Sequence, residues 1–184
     1  MNFSDISSSR VRFDVDQDGR LDRVGWVAGR DDVILVFDRN DNHKVDGPSE
    51  ISFLSDLAGA RSDMEGLLGL DSNGDGFFTK ADAEFRDFML WQDRNGNGKS
   101  DHGELVSLKE AGITSISLEI FDRAPLNGGL EASQILGRST VTFADGREVD
   151  AYDVALDIQL SRPPNCGCSA SVAADLTVGT SFFP

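Results

Sequence analysis

Cysteine, proline and tyrosine are scarce in this chain of 184 residues, which holds two, five and one of them. Cys166 and Cys168, one residue apart, cannot supply a four-thiolate zinc site, and a bridge so short would be strained. They read as unpaired thiols in a Gly/Ser/Pro-rich end. No proline follows an aspartate: the prolines follow Gly47, Ala124, Arg162, Pro163 and Phe183. Long apolar runs are missing too, and the longest, Val33 to Phe37, is far too short to cross a bilayer. Met1 to Phe13 lacks the charged start and apolar centre of a secretory signal, so export would need another route. Positive charge is also in short supply. Lys plus Arg number 17 against 32 Asp plus Glu, and the formal net charge of −15 argues against nucleic acid and anionic membranes as partners. No Ser-His-Asp order, phosphate-cradling glycine loop or zinc-type spacing points to catalysis, and no enzymatic activity is expected.

What the chain has is acid concentrated in loops. D-S-N-G-D-G-F-F-T-K-A-D starts at Asp71, and D-R-N-G-N-G-K-S-D-H-G-E starts at Asp93. Both match the twelve-residue EF-hand calcium loop, with oxygen donors at positions 1, 3, 5, 7, 9 and 12 and a glycine at 6 for the sharp turn. The spacing has a physical cause: a hard cation needs six to eight oxygens at short range, so alternate side chains of one tight loop face inward and a carboxylate closes the far side. The first loop offers Asp71, Asn73, Asp75, the Phe77 carbonyl, Thr79 through its hydroxyl or a water, and Asp82. The second offers Asp93, Asn95, Asn97, the Lys99 carbonyl, Asp101 and Glu104. Asn, Asp and Gly also build ordinary turns, but turn chemistry gives no reason for an acid at position 12.

Two further loops depart from the frame. Asp38, Asn40, Asn42, the Lys44 carbonyl and Asp46 fit the first five donor positions, but His43 replaces the glycine and the closing acid, Glu50, falls one place late. A bulge at Gly47-Pro48 would accommodate it. Asp14, Asp16, Asp18, the Arg20 carbonyl and Asp22 fit positions 1, 3, 5, 7 and 9 of another frame whose position 12 is Gly25, leaving it without a closing acid. His43 and His102 read as exposed loop residues. The expectation is Ca²⁺ at two strong sites and up to four in all, which would bring −15 to −7 by adding +8. Neutral Asn donors and the short Asp82 suit an affinity on the order of 10⁻⁴ to 10⁻³ M. Cation-free loops would repel one another, so calcium is expected to drive part of the folding.

The remaining segments suggest an α+β domain in which short helices shared between EF-hand-like loops combine with β-hairpins. Val24–Ala28 and Val33–Phe37, split by G-R-D-D, read as a hairpin. Ile51 to Leu57 could open a short helix, and Met64, Leu67 and Leu68 recur at helical spacing. Ala83 to Gln92 leaves room for one shared helix with Ala81, Phe85, Phe88 and Met89 as its buried stripe, and Leu105 to Glu110 reads as a last helix stopped at Gly112. Ile113–Ile120 alternates like a strand, and Ser139–Phe143 with Glu148–Leu156 flank the hairpin turn Asp145-Gly146. Residues 1–10 form a polar lead-in, 11–160 the module and 161–184 a tail.

The ordered strings G-W-V-A, D-R-N-D-N, V-D-G-P-S-E-I-S-F-L, L-D-S-N-G-D-G, W-Q-D-R-N-G-N-G, E-L-V-S-L-K-E-A-G-I-T-S-I-S-L and F-A-D-G-R resemble the calcium-binding self-processing module of FrpC-like RTX proteins, from about Val11 to Leu160. The resemblance implies a secreted bacterial protein whose module folds on meeting external calcium. In FrpC-like members the module then cleaves an Asp-Pro bond at its N-terminal edge: the aspartate carboxylate attacks its own carbonyl, and the anhydride is taken by water or a lysine amine. This chain contains no Asp-Pro, and the family's opening strand and acidic loop would lie before Met1, so no self-cleavage is expected. A monomer with calcium ions as its partners completes the expectation.

Overall fold

The computed structural model describes residues 3–4, 6–27, 31–124, 133–161 and 181–182. Among them the strands are β1 (Phe3–Ser4), β2 (Arg12–Phe13), β3 (Asp22–Val24), β4 (Trp26–Val27), β5 (Val33–Phe37), β6 (Phe77–Thr79), β7 (Phe88–Trp91), β8 (Leu105–Ser107), β9 (Ile113–Ser117), β10 (Gln134–Phe143), β11 (Glu148–Ala155), β12 (Ile158–Gln159) and β13 (Ser181–Phe182). The one α-helix among them, α1, spans Asp63–Leu67. An eight-stranded sheet runs β6-β9-β10-β11-β13-β5-β7-β8, beside a three-stranded β12-β3-β2 sheet and a β1-β4 pair.

This architecture overturns the expected α+β fold of helices flanking EF-hand loops: no helix-loop-helix unit occurs among the described residues. Ala83–Gln92 is not a shared helix. Phe85–Asp87 makes a single 3₁₀ turn, and Phe88–Trp91 is β7, paired antiparallel with β5 from Ile34↔Trp91 to Phe37↔Phe88. The apolar pattern there fits both periods, since Phe85 and Phe88 are buried on either reading. A run of aromatic and branched residues beside the unpaired edge of β5 gains a full hydrogen-bond ladder by extending, and that tertiary gain outweighs helix propensity. Leu105–Glu110 is likewise β8 followed by one turn. Ser107 and Glu110 form the reciprocal contact of a helix start, with Ser107 N donating to Glu110 Oε2 at 3.1 Å and Glu110 N to Ser107 Oγ at 3.2 Å. Gly112, at φ +77, ends it at once. The expected hairpin between Val24–Ala28 and Val33–Phe37 does not form either: β4 pairs with β1, and β5 with β7 and β13. The β10-β11 hairpin is as expected, turning at Gly146 with φ +83. Cys166 and Cys168 lie outside the described residues.

Each face of the large sheet carries a core. Leu35 and Phe37 of β5, Phe88 and Leu90 of β7 and Ala151 of β11 point to one side, where Phe53, Met64, Leu67 and Phe78 cover them. Phe88 sits among Phe37, Phe53 and Phe78 at centroid distances of 4.6, 5.4 and 4.8 Å. Ile34, Val36, Trp91, Val154 and Leu156 belong to the second core with Val11, Phe13, Val24 and Trp26. There Trp26 meets Trp91 edge to face at 5.3 Å. Full burial of each such side chain contributes about 1.5–3 kcal/mol.

The first core closes through very tight backbone contacts. A Cβ at Gly66 of α1 would lie 2.0 Å from the Phe53 carbonyl oxygen, so only glycine fits. Gly66→Ala should therefore lower the unfolding free energy by at least about 2 kcal/mol in urea titrations, because backbone must move. Asp153 of β11 is buried beside the start of α1, accepting from Met64 N at 3.3 Å, and burial pushes its carboxyl above the usual range. A raised folded pKa gives a stabilising contribution that is complete below the ordinary value of 3.8 and lost as pH rises through the folded value. Asp153→Asn removes that dependence, so the variant should gain stability relative to the wild type as pH rises from acid to neutral; parallel denaturation curves across that range measure it.

Candidate metal centre

The four acidic loops share one backbone. Positions 4 and 6 are left-handed in each: Gly74 and Gly76, Gly96 and Gly98, Asp41 and His43, and Gln17 and Gly19, with φ between 56° and 85°. Their strand neighbours place them. The loop at 93–104 joins β7 to β8 with Trp91 opposite Leu105, and the loop at 14–22 joins β2 to β3 with Phe13 opposite Asp22. The loop at 38–50 leaves the end of β5 and closes in a 3₁₀ turn, Pro48–Glu50. The loop at 71–82 contains β6.

The first acid of each loop gathers the turn. Asp71 accepts from Gly74 N and Gly76 N at 2.8 and 2.9 Å, and Asp93 from Asn97 N and Gly98 N at 3.1 and 2.8 Å. Asp38 accepts from Asn42 N and His43 N at 3.0 and 2.9 Å, and Asp14 from Asp18 N and Gly19 N at 3.1 and 3.0 Å. The position-3 and position-5 side chains continue it: Asn73 accepts from Asp75 N, Asp75 from Phe77 N, Asn97 from Lys99 N, Asn42 from Lys44 N and Asp18 from Arg20 N. Asp16 accepts from Asp18 N, and Asn40 from Asn42 N. Asn95 and Asn97 both donate to Asp101 at 2.8 Å, and Asn42 to Asp46 at 2.7 Å. Thr79 Oγ1 accepts from Ala81 N, and the Lys99 carbonyl from Asp101 N.

The closing acids are buried, with Asp82, Glu104 and Glu50 only 4, 6 and 3% exposed. Asp82 accepts from Ser72 N at 2.9 Å and Thr79 N at 2.7 Å, Glu104 from Arg94 N at 3.1 Å and Asp101 N at 3.0 Å, and Glu50 from Asp46 N at 2.9 Å. Asp22, 1% exposed, does the same in the N-terminal loop, accepting from Val15 N at 3.1 Å. The position-2 amide that meets the position-12 acid in the loops at 71 and 93 meets Asp22 here. Counting to twelve therefore lands on the wrong residue. Gly25, at that place, lies between strands, its N–H donating to the Asp157 carbonyl at 2.7 Å, and a Cβ there would lie 2.7 Å from Ser133 Oγ.

These carboxylates crowd one another. Burial first, then Asp46 and Asp38, raises the Glu50 carboxyl, while its Oε1 has no hydrogen-bond partner. Burial and Glu104 raise Asp93, although the amides of Gly98 and Asn97 oppose them. Asp101 is held low by its bonds from Asn95 and Asn97. Oxygen donors in all four loops, a buried unpaired oxygen on Glu50 and turns through a left-handed pair fit a hard divalent cation. Ligand atoms of Asp14, Asp16 and Asp18 lie within 4.8 Å of one another, as do those of Asp38, Asp41 and His43. His43 and His102 are exposed, as expected, yet His43 Nδ1 is 3.2 Å from Asp38 Oδ2, a contact the sequence reading missed. A left-handed histidine carries a steric cost that glycine avoids. His43→Gly should stabilise the calcium-free protein by about 0.5–1 kcal/mol, and Gly76→His should cost a similar amount, both read from urea midpoints.

The family model of the SPM domain matches residues 1–157, a span that contains all four loops. The iron-regulated protein FrpA of Neisseria meningitidis serogroup C is 39% identical over 149 residues, covering 78% of this chain. The aligned stretch spans 13% of FrpA's own length. On both counts the chain belongs to the SPM-domain family and is a relative of FrpA.

Proposed function

We propose that this chain is a calcium-binding module that compacts when its acidic loops are neutralised by Ca²⁺, and that it works within a secreted protein of the FrpA kind. One observation carries the reading: all four loops turn through the same left-handed pair and return a buried carboxylate to an amide of their own loop. Asp71, Asn73, Asp75, Thr79 and Asp82 would hold one ion, with the Phe77 carbonyl. Asp93, Asn95, Asn97, Asp101 and Glu104 would hold another, with the Lys99 carbonyl. Asp38, Asn40, Asn42, Asp46 and Glu50 form the third set, with the Lys44 carbonyl, and Asp14, Asp16, Asp18 and Asp22 the fourth, with the Arg20 carbonyl. Bound calcium supplies positive charge where these carboxylates repel one another.

The residues do the rest. Asp22 begins β3, while Glu104 is followed directly by β8, and Gln92 N donates to the Glu104 carbonyl at 2.8 Å. Neutralising these acids would fix the ends of strands that carry the second core. The kinship with FrpA and the resemblance to secreted modules support an extracellular setting, where calcium is plentiful. No helix among the described residues is long and apolar enough to cross a membrane. The chain's sequence holds no Asp-Pro bond, so we propose no peptide-cleaving activity for it.

Calorimetric titration with Ca²⁺, followed in parallel by the near-ultraviolet signal of the Trp26–Trp91 pair, tests this. The wild type should bind about two to four ions per chain with a gain in that signal. A double variant, Asp71→Ala with Glu104→Ala, should lose two sites. Asp22→Asn should lose one, where assignment of Asp22 as a mere position-9 donor predicts only weakening. An apo protein whose signal is already complete, and which takes up no calcium, would refute the reading.

A further inference from the structure

β13 enters the middle of the large sheet. Ser181 lies opposite Ile34 of β5 and Tyr152 of β11, and Phe182 opposite Val33 and Ala151, antiparallel on both sides. Both walls of this slot lie within the stretch matched by the family, which ends at residue 157, whereas the strand filling it comes from beyond.

Both walls contribute side chains to the same two cores. Leu35 and Phe37 of β5 share the first core with Ala151 of β11, and Ile34 and Val36 share the second with Val154. Packing on both faces thus holds β5 and β11 in one layer. On their far sides β5 is bonded to β7 and β11 to β10, which leaves the facing rims to be satisfied by whatever lies between. Inside a sheet, an unpaired buried N–H or C=O costs about 1–3 kcal/mol. An extended peptide is the ligand that satisfies two parallel rims of backbone at once.

We propose that the space between β5 and β11 is a strand-accepting site of the module, which takes an extended peptide flanking the module and is filled here in cis by Ser181–Phe182. Recognition is through main-chain hydrogen bonds on both edges. The strand can be replaced in trans by a peptide of the same sequence. A chain of 19 residues joins Ser161 to Ser181, so the cis strand is tethered to the slot and competes with a peptide supplied in trans. The inference is independent of calcium binding.

Hydrogen exchange on the full chain is the first test: the amides at 33–34 and 151–152 that face β13, and not β7 or β10, should be protected, and exchange there at unstructured rates overturns the proposal. The second test uses the full chain with Ser181→Pro and Phe182→Pro, which removes both N–H donors of the strand. Its folding is monitored by the Trp26–Trp91 signal. A fluorescent peptide of residues 177–184 should bind this variant at least about tenfold more tightly than wild type, because the cis competitor is gone. It should also restore the lost protection, and the same peptide N-methylated at both strand positions should not. Equal peptide binding by the two folded proteins, with unchanged exchange, would overturn the strand-accepting site.

Discussion

Everything in this fold depends on returning a charged carboxylate beneath an acidic turn without disturbing the strands beside it. Asp22, Glu50, Asp82 and Glu104 are all buried, and burial of an ionised carboxylate is costly unless hydrogen bonds or a counter-charge receive it. Each is received by amides of its own loop. At Glu50 one oxygen is still left without a partner.

That demand is met by anchoring the loops on strands. β7 and β8 hold the loop at 93–104 as a long hairpin connection, β2 and β3 hold the loop at 14–22, and β5 launches the loop at 38–50. The side-chain alternation of β5 and β7 carries the same layer into two cores, with phenylalanines on one side and the tryptophan pair on the other. The loops thus begin or end on strands whose side chains pack in these two cores. A helical flank would have turned one stripe inward; a strand in the middle of a sheet commits both faces.

The loops were the most legible part of the chain because their recognition is local. Left-handed turns, inward-facing alternate residues and a closing acid are set by a dozen consecutive residues, and even the displaced Glu50 was readable from the Gly47-Pro48 bulge. Asp22 was not, since its role follows from where β3 begins. Gly25 showed nothing of its reason in the sequence either: it is crowded by Ser133 and the Ser4 carbonyl, residues far away in the chain. The helices expected over Ala83–Gln92 and Leu105–Glu110 failed because short apolar runs satisfy both helical and strand periods.

Sequence alone determined the acidic turns, the hairpin at Asp145-Gly146 and kinship with FrpA-like proteins, all of which rest on short-range spacing or ordered strings. Tertiary structure alone decided that Phe88–Trp91 extends beside β5, that Asp22 closes a loop, and that Ser181–Phe182 enters the sheet between β5 and β11. The physical reason is common to all three. A backbone edge or a buried charge must be satisfied by whichever group the fold brings to it, and that partner can lie anywhere along the chain.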